Sequence, residues 1–272
     1  MGKQSRTLYR GPSVYTGAEV AVQAQCTDRS MDNRKVGDMV GIAIWATGGH
    51  PADAVAQRAA CGGCALLESG VCYVVKARLG ASWRLIQATL MSLADFARLR
   101  RVRHRPIRFG TDGDPGAVPV AWWERFFATV RPRNGWTGFV HGWKARIMGD
   151  GVQAPACDAS LARWFMASCD TVEERAEAKD LGYRTARIAE PGAPLLEGEI
   201  LCPAIKTDGR IRCEDCLLCD GNADGGRWHR KRKRPGPYFR HVPLTERPDV
   251  VFYVHGGAGQ DRKYANLVKA LG

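Results

Sequence analysis

Short apolar runs alternate with amphipathic segments along most of this chain. The clearest run, residues 40–46, ends at a Gly-Gly-His-Pro turn, and an apolar run bounded by turn residues is typical of a buried strand. The same pattern predicts further strands over residues 106–110, 136–141, 164–169, 183–189, 199–202 and 250–254. Residues 1–35 show no readable period, so we treat them as a poorly defined N-terminal segment.

Helical periodicity marks other segments. Apolar residues recur at intervals of three and four over residues 81–102 and 120–130, which predicts a helix in each. Thr171 and Glu174 have the spacing of a capping box, in which each side chain binds a free backbone N–H of the first turn. The helix that begins there should end at Gly182, because glycine readily takes the left-handed conformation that closes helices. A short helix is expected at the C-terminus.

The order of these elements predicts the fold class. Strand–helix–strand repetition with short connections implies parallel strands. About six such strands suit a barrel, and an open doubly wound sheet is the alternative. Because helices are missing between some strands, we predict an irregular or incomplete parallel β/α barrel. This single α/β domain would span residues 36–272 and carry a basic loop at about 221–240.

Composition bears on location and on the use of the cysteines. The chain has no apolar stretch near the roughly 18–20 residues that span a bilayer, and no apolar run follows its N-terminus as in a secretory signal. We therefore expect a cytoplasmic protein without a membrane partner. In a reducing compartment, clustered cysteines bind metal or do redox chemistry more often than they form disulfides. Most of the ten cysteines fall into two tight groups.

The second cysteine group has the most specific spacing in the chain. Cys213, Cys216 and Cys219 form a C-x2-C-x2-C motif, and ten residues separate Cys202 from it. A cubane cluster spreads its irons apart and accepts three thiolates from one short loop and a fourth from elsewhere. We therefore predict an iron–sulfur cluster bound by these four residues. Zinc is the alternative, because a C-x2-C pair also suits a tetrahedral ion.

The first cysteine group offers three thiolates without an evident fourth ligand. Cys61 and Cys64 flank a Gly-Gly pair, and Cys72 follows. We predict a metal site at these three residues, since an open coordination position is what a catalytic centre needs. In the alternative interpretation a cysteine or histidine from elsewhere closes the site, and its role is structural.

These motifs resemble those of a group of uncharacterised proteins encoded by phages, plasmids and mobile elements. That group has a cysteine-rich opening ending in Gly-Cys-Tyr, then a Cys-Pro-Ala motif, a Cys-x2-Cys-x-Leu-Cys motif and a terminal strand running into His-Gly. The corresponding segments here are residues 61–73, 202–204, 213–219 and 254–256. The opening departs from the pattern, with two glycines in place of a proline-containing spacer. The resemblance implies metal sites and a mobile-element origin, and it implies no reaction.

Polar side chains that can do acid–base chemistry follow several predicted strands. In a parallel α/β barrel, reactive residues lie at the carboxyl ends of the strands, so we predict a catalytic group there. Taken singly, each carboxylate also suits a turn. The candidates that follow strands are Asp112, Asp114, His141 and Asp170.

The charge balance predicts an anionic partner. The net charge is +12 and the pI is near 9.4, and nucleic acid is the commonest partner of such a protein. The densest basic run, residues 227–234, precedes a Pro-Gly-Pro turn, and a solvated linker is its alternative interpretation. The predicted contacts to phosphates and bases are Trp228, Arg230, Lys231, Arg232, Lys233 and Arg234.

Two functions from different classes follow from these features. The leading hypothesis is a metal-binding, iron–sulfur enzyme of mobile-element type that acts on nucleic acid or nucleotides. The alternative is a zinc-stabilised, non-enzymatic accessory protein that binds nucleic acid. An enzyme should gather Asp112, Asp114 and His141 beside the first cysteine group, whereas a binding protein has no need to do so.

Overall fold

Two five-stranded sheets form the frame of the computed structural model, which describes residues 5–28, 30, 35–70, 72, 74, 83–86, 89–222 and 247–253. The first sheet has the order β1 (Arg6–Pro12), β2 (Glu19–Gln25), β3 (Val40–Ala46), β4 (Ile107–Phe109), β5 (Trp136–Thr137). The second has the order β11 (Glu199–Leu201), β12 (Asp249–Tyr253), β10 (Thr185–Ala189), β9 (Met166–Cys169), β6 (Phe139–Val140). A separate hairpin consists of β7 (Arg146–Ile147) and β8 (Gln153–Ala154).

Most neighbouring strands run parallel. All pairs of the second sheet are parallel, as are β3–β4 and β4–β5 of the first, whereas β1, β2 and β3 form an antiparallel edge. Parallel neighbours require crossover connections, which here include helices. The predicted class, a mixed α/β domain with parallel strands, is therefore confirmed.

Short helices fill the connections. Those described are α1 (Ala54–Cys61), α2 (Ala65–Glu68), α3 (Leu93–Arg98), α4 (Arg100–His104), α5 (Val120–Val130), α6 (Val172–Asp180), α7 (Pro203–Lys206) and α8 (Cys213–Cys216). Two 3₁₀ turns lie at Pro115–Ala117 and Ala159–Arg163. None of the described helices has the length and apolar character needed to cross a bilayer. The predicted C-terminal helix lies outside the described residues.

One segment of chain, residues 136–140, connects the two sheets. Its first half, β5, pairs with β4, and its second half, β6, pairs with β9. Gly138 lies between the halves, and a Cβ there would approach Phe165 Cδ1 to 2.7 Å. Glycine is therefore needed where the segment passes from one sheet to the other. The strand predicted over residues 136–141 is thus divided between two sheets.

Aromatic side chains dominate the core between α5 and the sheets. The ring of Phe109 lies 5.4 Å, centroid to centroid, from each of Trp123, Phe126, Phe127 and Phe165. Aromatic pairs at such distances each contribute about 0.5–1.5 kcal/mol beyond their buried area. The helix predicted over residues 120–130 is confirmed as α5.

The second sheet carries a smaller apolar cluster on its other face. Side chains alternate between the faces along a strand, so Ala167 of β9 belongs to the main core and Met166 to the smaller cluster. That smaller cluster also contains Cys202 and Cys219. The second cysteine group therefore packs on the face of the sheet opposite the main core.

The helix predicted over residues 81–102 is wrong in its extent. α3 begins after Ser92, whose hydroxyl accepts a hydrogen bond from the Asp95 N–H at 3.0 Å. Leu99 has a ψ of 133°, which separates α3 from α4. Ser92 therefore sets the start of α3, although it lies inside the apolar period. Its side chain binds a backbone N–H that would otherwise bond to a preceding helical turn.

The N-terminal segment contributes two strands for which the sequence predicted no element. β2 pairs with β3 from Val20↔Ala46 to Gln25↔Gly41, so the expected domain boundary near residue 36 does not divide this sheet. Residues 20–24 are all buried, on both faces of the strand. A strand covered on both faces lacks the apolar–polar alternation that marks a half-exposed strand.

The helix and the Thr171 half of the capping box are confirmed, whereas Glu174 bonds one residue before the cap. The Thr171 hydroxyl accepts a hydrogen bond from the Glu174 N–H at 3.1 Å, and α6 follows. The Glu174 carboxylate accepts its bond from the Asp170 N–H at 2.8 Å. Gly182 has a φ of 83°, as the predicted helix end requires.

Candidate functional site

Three of the four cysteines of the second group, Cys202, Cys216 and Cys219, pack in or against the smaller apolar cluster of the second sheet. The backbone fixes two of them directly to strands: the Cys202 N–H donates to the Val251 carbonyl at 2.9 Å, and the Cys219 carbonyl accepts from the Gly138 N–H at 2.9 Å. The other two are at the ends of α8. The sheet thus holds both ends of the motif formed by Cys202, Cys213, Cys216 and Cys219.

The four thiols influence one another. Burial raises the pKa of all four. The pKa of Cys216 reaches about 12, with burial as the main cause and with Cys213 and Cys202 adding to it. The pKa of Cys219 lies well above its usual range because of burial and of Cys202, Cys216 and Cys213. The thiols are therefore close enough to repel one another as thiolates, and a bound cation would relieve that repulsion.

A buried arginine shapes the loop that carries Cys219. Nη1 of Arg184 donates to the Leu218 and Asp220 carbonyls at 3.0 and 2.8 Å and to Asp220 Oδ1 at 3.1 Å. The fully buried Asp220 carboxylate also accepts from Arg247 at 2.8 Å. Arg184 opposes part of the rise in the pKa of Cys219. The ion pairs thus fix the loop and place positive charge near its thiol.

A second arginine faces the other end of the motif. Arg108 of β4 opposes part of the rise that burial causes in the pKa values of Cys202 and Cys213. Its guanidinium carbon lies 6.0 Å from the centroid of the Phe139 ring. Arg108 of β4 and Arg184, which precedes β10, therefore offset part of the negative charge that four thiolates would carry.

In the part of the chain that the structure describes, no three His, Cys, Asp or Glu side chains form a group that could hold a metal ion. Cys202, Cys216 and Cys219 pack at one face of the second sheet, and an iron–sulfur cluster or a zinc ion at the four predicted ligands stays a prediction. The same holds for metal at the first cysteine group.

Two members of the first cysteine group, Cys61 and Cys64, belong to a tightly packed turn between α1 and α2, residues 61–64. Gly62 has a φ of 58°, and a Cβ there would lie 3.0 Å from the Tyr15 ring. A Cβ at Gly63 would lie 2.8 Å from Cβ of Arg146. The Gly-Gly pair thus lets the turn pass between these two side chains.

Cys64 of this turn contacts a predicted catalytic residue. Its Sγ lies 3.4 Å from Nδ1 of His141, which follows β6. The His141 N–H donates to Oδ2 of Asp114 at 2.7 Å, and the Gly142 and Gly116 N–H groups each donate to the same carboxylate at 2.8 Å. Asp114 therefore ties the loops after β4 and β6 together and positions the imidazole against the thiol.

The charges around His141 favour its protonated form. Burial lowers the pKa of His141, but Cys64, Asp114 and Asp170 together raise it to about 9. Burial raises the pKa of Asp114 and of Asp170, and His141 opposes this rise in both. A half-buried histidine whose pKa is raised by neighbouring carboxyl groups is typical of functional sites.

Asp170 and Arg146 form a buried ion pair with unused hydrogen-bonding capacity. Oδ2 of Asp170 accepts from Nη2 of Arg146 at 3.3 Å, and that nitrogen also lies 2.8 Å from Oε1 of Glu174. Within the described chain, Oδ1 of Asp170 and Nε of Arg146 are buried without a hydrogen-bond partner. Such atoms in a native structure call for an explanation, and a bound ligand is one.

The structure therefore brings together three of the four predicted catalytic residues: Asp114, His141 and Asp170. The fourth, Asp112, is buried, and its carbonyl accepts a hydrogen bond from the Ile44 N–H at 2.8 Å. Cys61 is buried and Cys72 half-buried. The nucleic-acid contacts predicted at residues 228–234 lie outside the described residues.

Sequence reasoning missed the arginines of both sites. Arg146 belongs to the hairpin strand β7 and pairs with Asp170, and Arg184 precedes β10 and pairs with Asp220. The partners are 24 and 36 residues apart, so no local spacing marks them.

The chain matches no protein-family model, no curated protein and no solved structure. The geometry of its own residues is therefore what supports a function.

Proposed function

We propose that the protein is an iron–sulfur enzyme that acts on nucleic acid or nucleotides. The observation that carries the proposal is that Cys202, which follows β11, and the three cysteines of residues 213–219 are close enough to influence one another's pKa. Iron–sulfur clusters take four cysteine thiolates, commonly with closely spaced residues in one loop. When bound, a cluster would supply electron transfer. The ligands would be Cys202, Cys213, Cys216 and Cys219.

The surroundings of Cys64 favour an enzyme over a binding protein. The second candidate, a zinc-stabilised accessory protein, needs the four-cysteine group, and a Cys–His contact could serve a structural metal site in it, but the carboxyl groups of Asp114 and Asp170 beside that contact have no role there. Buried charged groups cost stability unless they are paired, so their concentration at one place is better explained by chemistry. His141, Asp114 and Asp170 follow the carboxyl ends of parallel strands, where α/β folds place their active sites.

The proposed substrate class follows from charge. A net charge of +12 attracts polyanions, and the basic run at residues 227–234 follows the four-cysteine group closely in sequence. Each phosphate neutralised by a lysine or arginine releases condensed counterions, so binding should weaken steeply with salt.

The finer architecture belongs to the same proposal. We infer an incomplete parallel β/α barrel whose inner face carries the four cysteines. Support comes from the parallel order of β3, β4, the 136–140 segment, β9, β10 and β12, and from the single segment that connects the sheets. A cytoplasmic location and a mobile-element origin complete the proposal, since clustered cysteines in a reducing compartment more often bind metal than form disulfides.

Metal analysis of anaerobically purified protein tests this proposal. We expect a brown protein with a charge-transfer band and with iron and acid-labile sulfide, all lost in Cys216→Ser. Cys169→Ser is the matched control, because Cys169 is an isolated cysteine buried in the main core. A colourless protein with stoichiometric zinc bound to the same four cysteines would establish the second candidate. Folded protein without metal would refute both.

A further inference from the structure

The contact between Cys64 and His141 is independent of the four-cysteine group. The two residues come from different parts of the fold, the α1–α2 turn and the loop after β6, and they are 77 residues apart in sequence. Their 3.4 Å contact joins a thiol, which can act as a nucleophile, to an imidazole, which can act as a base. The carboxylate of Asp114 orients the imidazole by accepting a hydrogen bond from the main-chain N–H of His141. A nucleophile, a base within reach and an orienting group are the parts of an activated nucleophile.

The surroundings of this pair supply what an acyl substrate would need. Arg146 packs against the turn that carries Cys64, because its Cβ lies 2.8 Å from where a Cβ of Gly63 would be. Its Nε is a buried donor without a hydrogen-bond partner in the described chain. A donor of this kind can stabilise the negative oxygen that forms when a thiolate adds to a carbonyl group.

We propose that Cys64 is a catalytic nucleophile, with His141 as its base, that attacks the carbonyl carbon of an ester, a thioester or another activated acyl compound. This proposal rests on the contact geometry and does not require the iron–sulfur centre.

The proposed reaction balances without a cofactor. Nδ1 of His141 takes the thiol proton, the sulfur–carbon bond forms, and the carbonyl π pair moves to the oxygen that faces Arg146. That pair returns as the bond from carbon to the leaving group breaks, and the leaving group takes the proton from His141. Water then adds to the thioester by the same sequence and releases the acid, which restores the thiol.

Alkylation kinetics test the nucleophile without any variant. Intact protein is treated with iodoacetamide, and the labelling of each cysteine is followed by peptide mass spectrometry. Cys61 is the matched internal control, because both it and Cys64 are 8% exposed. We expect Cys64 to react at least about tenfold faster than Cys61 and to lose this advantage in His141→Gln. Equal rates for the two cysteines would overturn the proposal.

An activated acyl ester tests the reaction itself. With p-nitrophenyl acetate we expect a burst of nitrophenol close to one equivalent and an acetyl group on Cys64, both absent in Cys64→Ser. Cys26→Ser should keep the burst, because Cys26 follows β2 and contacts Arg101, away from the Cys64 site. Absence of the acetyl group from Cys64 would refute the acyl class. Protection of Cys64 by bound zinc, reversed by a chelator, would assign the pair to a metal site and overturn the nucleophile.

Discussion

Cys219 and Cys64 are equally exposed, at 8% each, yet their neighbours differ in kind. Cys219 lies among three other thiols, with Arg184 opposing their effect on its pKa. Cys64 contacts an imidazole, in a setting that contains two carboxyl groups. Several thiols that repel one another as anions suit a shared cation, whereas a thiol against a base suits proton transfer. The neighbours, and not the exposure, thus distinguish the two uses of cysteine.

The two sites also differ in what holds them in place. Ion pairs between side chains fix the loop of Cys219, through Arg184, Asp220 and Arg247. Close packing of glycine and main-chain hydrogen bonds to Asp114 fix the surroundings of Cys64. A substitution in the ion pairs should therefore affect the Cys219 site alone, and a substitution in the glycine turn should affect the Cys64 site alone.

The largest effect is expected from Arg184→Met. The substitution removes three hydrogen bonds from the Cys219 loop and leaves the buried Asp220 with one cationic partner fewer. Breaking such a pair costs about 3–5 kcal/mol, which urea denaturation would measure. The variant should also lose its iron while Cys64 keeps its rate of alkylation. If the variant kept both its iron and its stability, the Arg184–Asp220 ion pair would not be what holds the four-cysteine group in place. Arg103→Met, at an exposed position of α4, is the control.

A somewhat smaller effect, about 3 kcal/mol, is expected from Glu199→Gln. Glu199 is the first residue of β11, the strand that ends just before Cys202. Its carboxylate accepts two hydrogen bonds from Arg187, at 2.8 and 2.7 Å. Burial raises the pKa of Glu199, but Arg187, the Leu196 N–H and Arg175 together lower it below its ordinary 4.5. The charged form therefore stabilises the fold above about pH 4.5, and this contribution is lost as the pH falls through the lowered pKa.

The pH dependence of the stability lost in Glu199→Gln shows whether the charged form of Glu199 stabilises the fold. The stability difference between wild type and variant should be largest near neutral pH and should shrink below about pH 4.5, where wild-type Glu199 becomes neutral as well. Urea denaturation at a series of pH values measures it. A difference that grows on acidification would contradict this assignment of charge.

Replacing residues 230–234 with alanine should weaken binding to DNA or RNA about a hundredfold at low salt and reduce its salt dependence. The basic run follows Cys219 in sequence, so the experiment asks whether the four-cysteine group has a nucleic-acid surface that the Cys64 site lacks. Metal content should not change. Fluorescence anisotropy with a labelled oligonucleotide measures the affinity. Unchanged affinity, or salt-independent binding, would identify the run as a solvated linker.

The smallest effect, about 2 kcal/mol, is expected from Gly63→Ala, because the added methyl group meets Cβ of Arg146 at 2.8 Å. The variant should slow alkylation of Cys64 and keep its iron. Gly48→Ala is the control, since a Cβ there meets no atom within 4 Å. Equal behaviour of the two variants would mean that the packing of the turn does not control Cys64.

Local patterns explain which features the sequence could predict. The strand at residues 40–46, α5 and the cap at Thr171 depend on neighbouring residues and are confirmed. The predicted extent of the helix over residues 81–102 is wrong because Ser92 caps a helix that begins only at Leu93, although the apolar period starts earlier. β2 was missed because both of its faces are buried, which removes the alternation.

The site residues also divide into those that local sequence patterns could predict and those that depend on distant parts of the chain. The acids and His141 could be predicted because parallel strands bring their carboxyl ends to one edge. The contact of His141 with Cys64 could not, since it joins residues 77 positions apart and depends on how the Gly-Gly turn packs. The metal site at Cys61, Cys64 and Cys72 stays a prediction, and the proposed nucleophile is another use of the same Cys64 thiol.

Iron and sulfide analysis of Cys219→Ser and Cys64→Ser, purified side by side without oxygen, tests the central claim most directly. The two replaced residues have the same exposure, 8%, so the comparison isolates their neighbours. We expect Cys219→Ser to be colourless and to lack iron and sulfide, while Cys64→Ser retains both at the wild-type level. Loss of iron from Cys64→Ser, or full retention in Cys219→Ser, would contradict it.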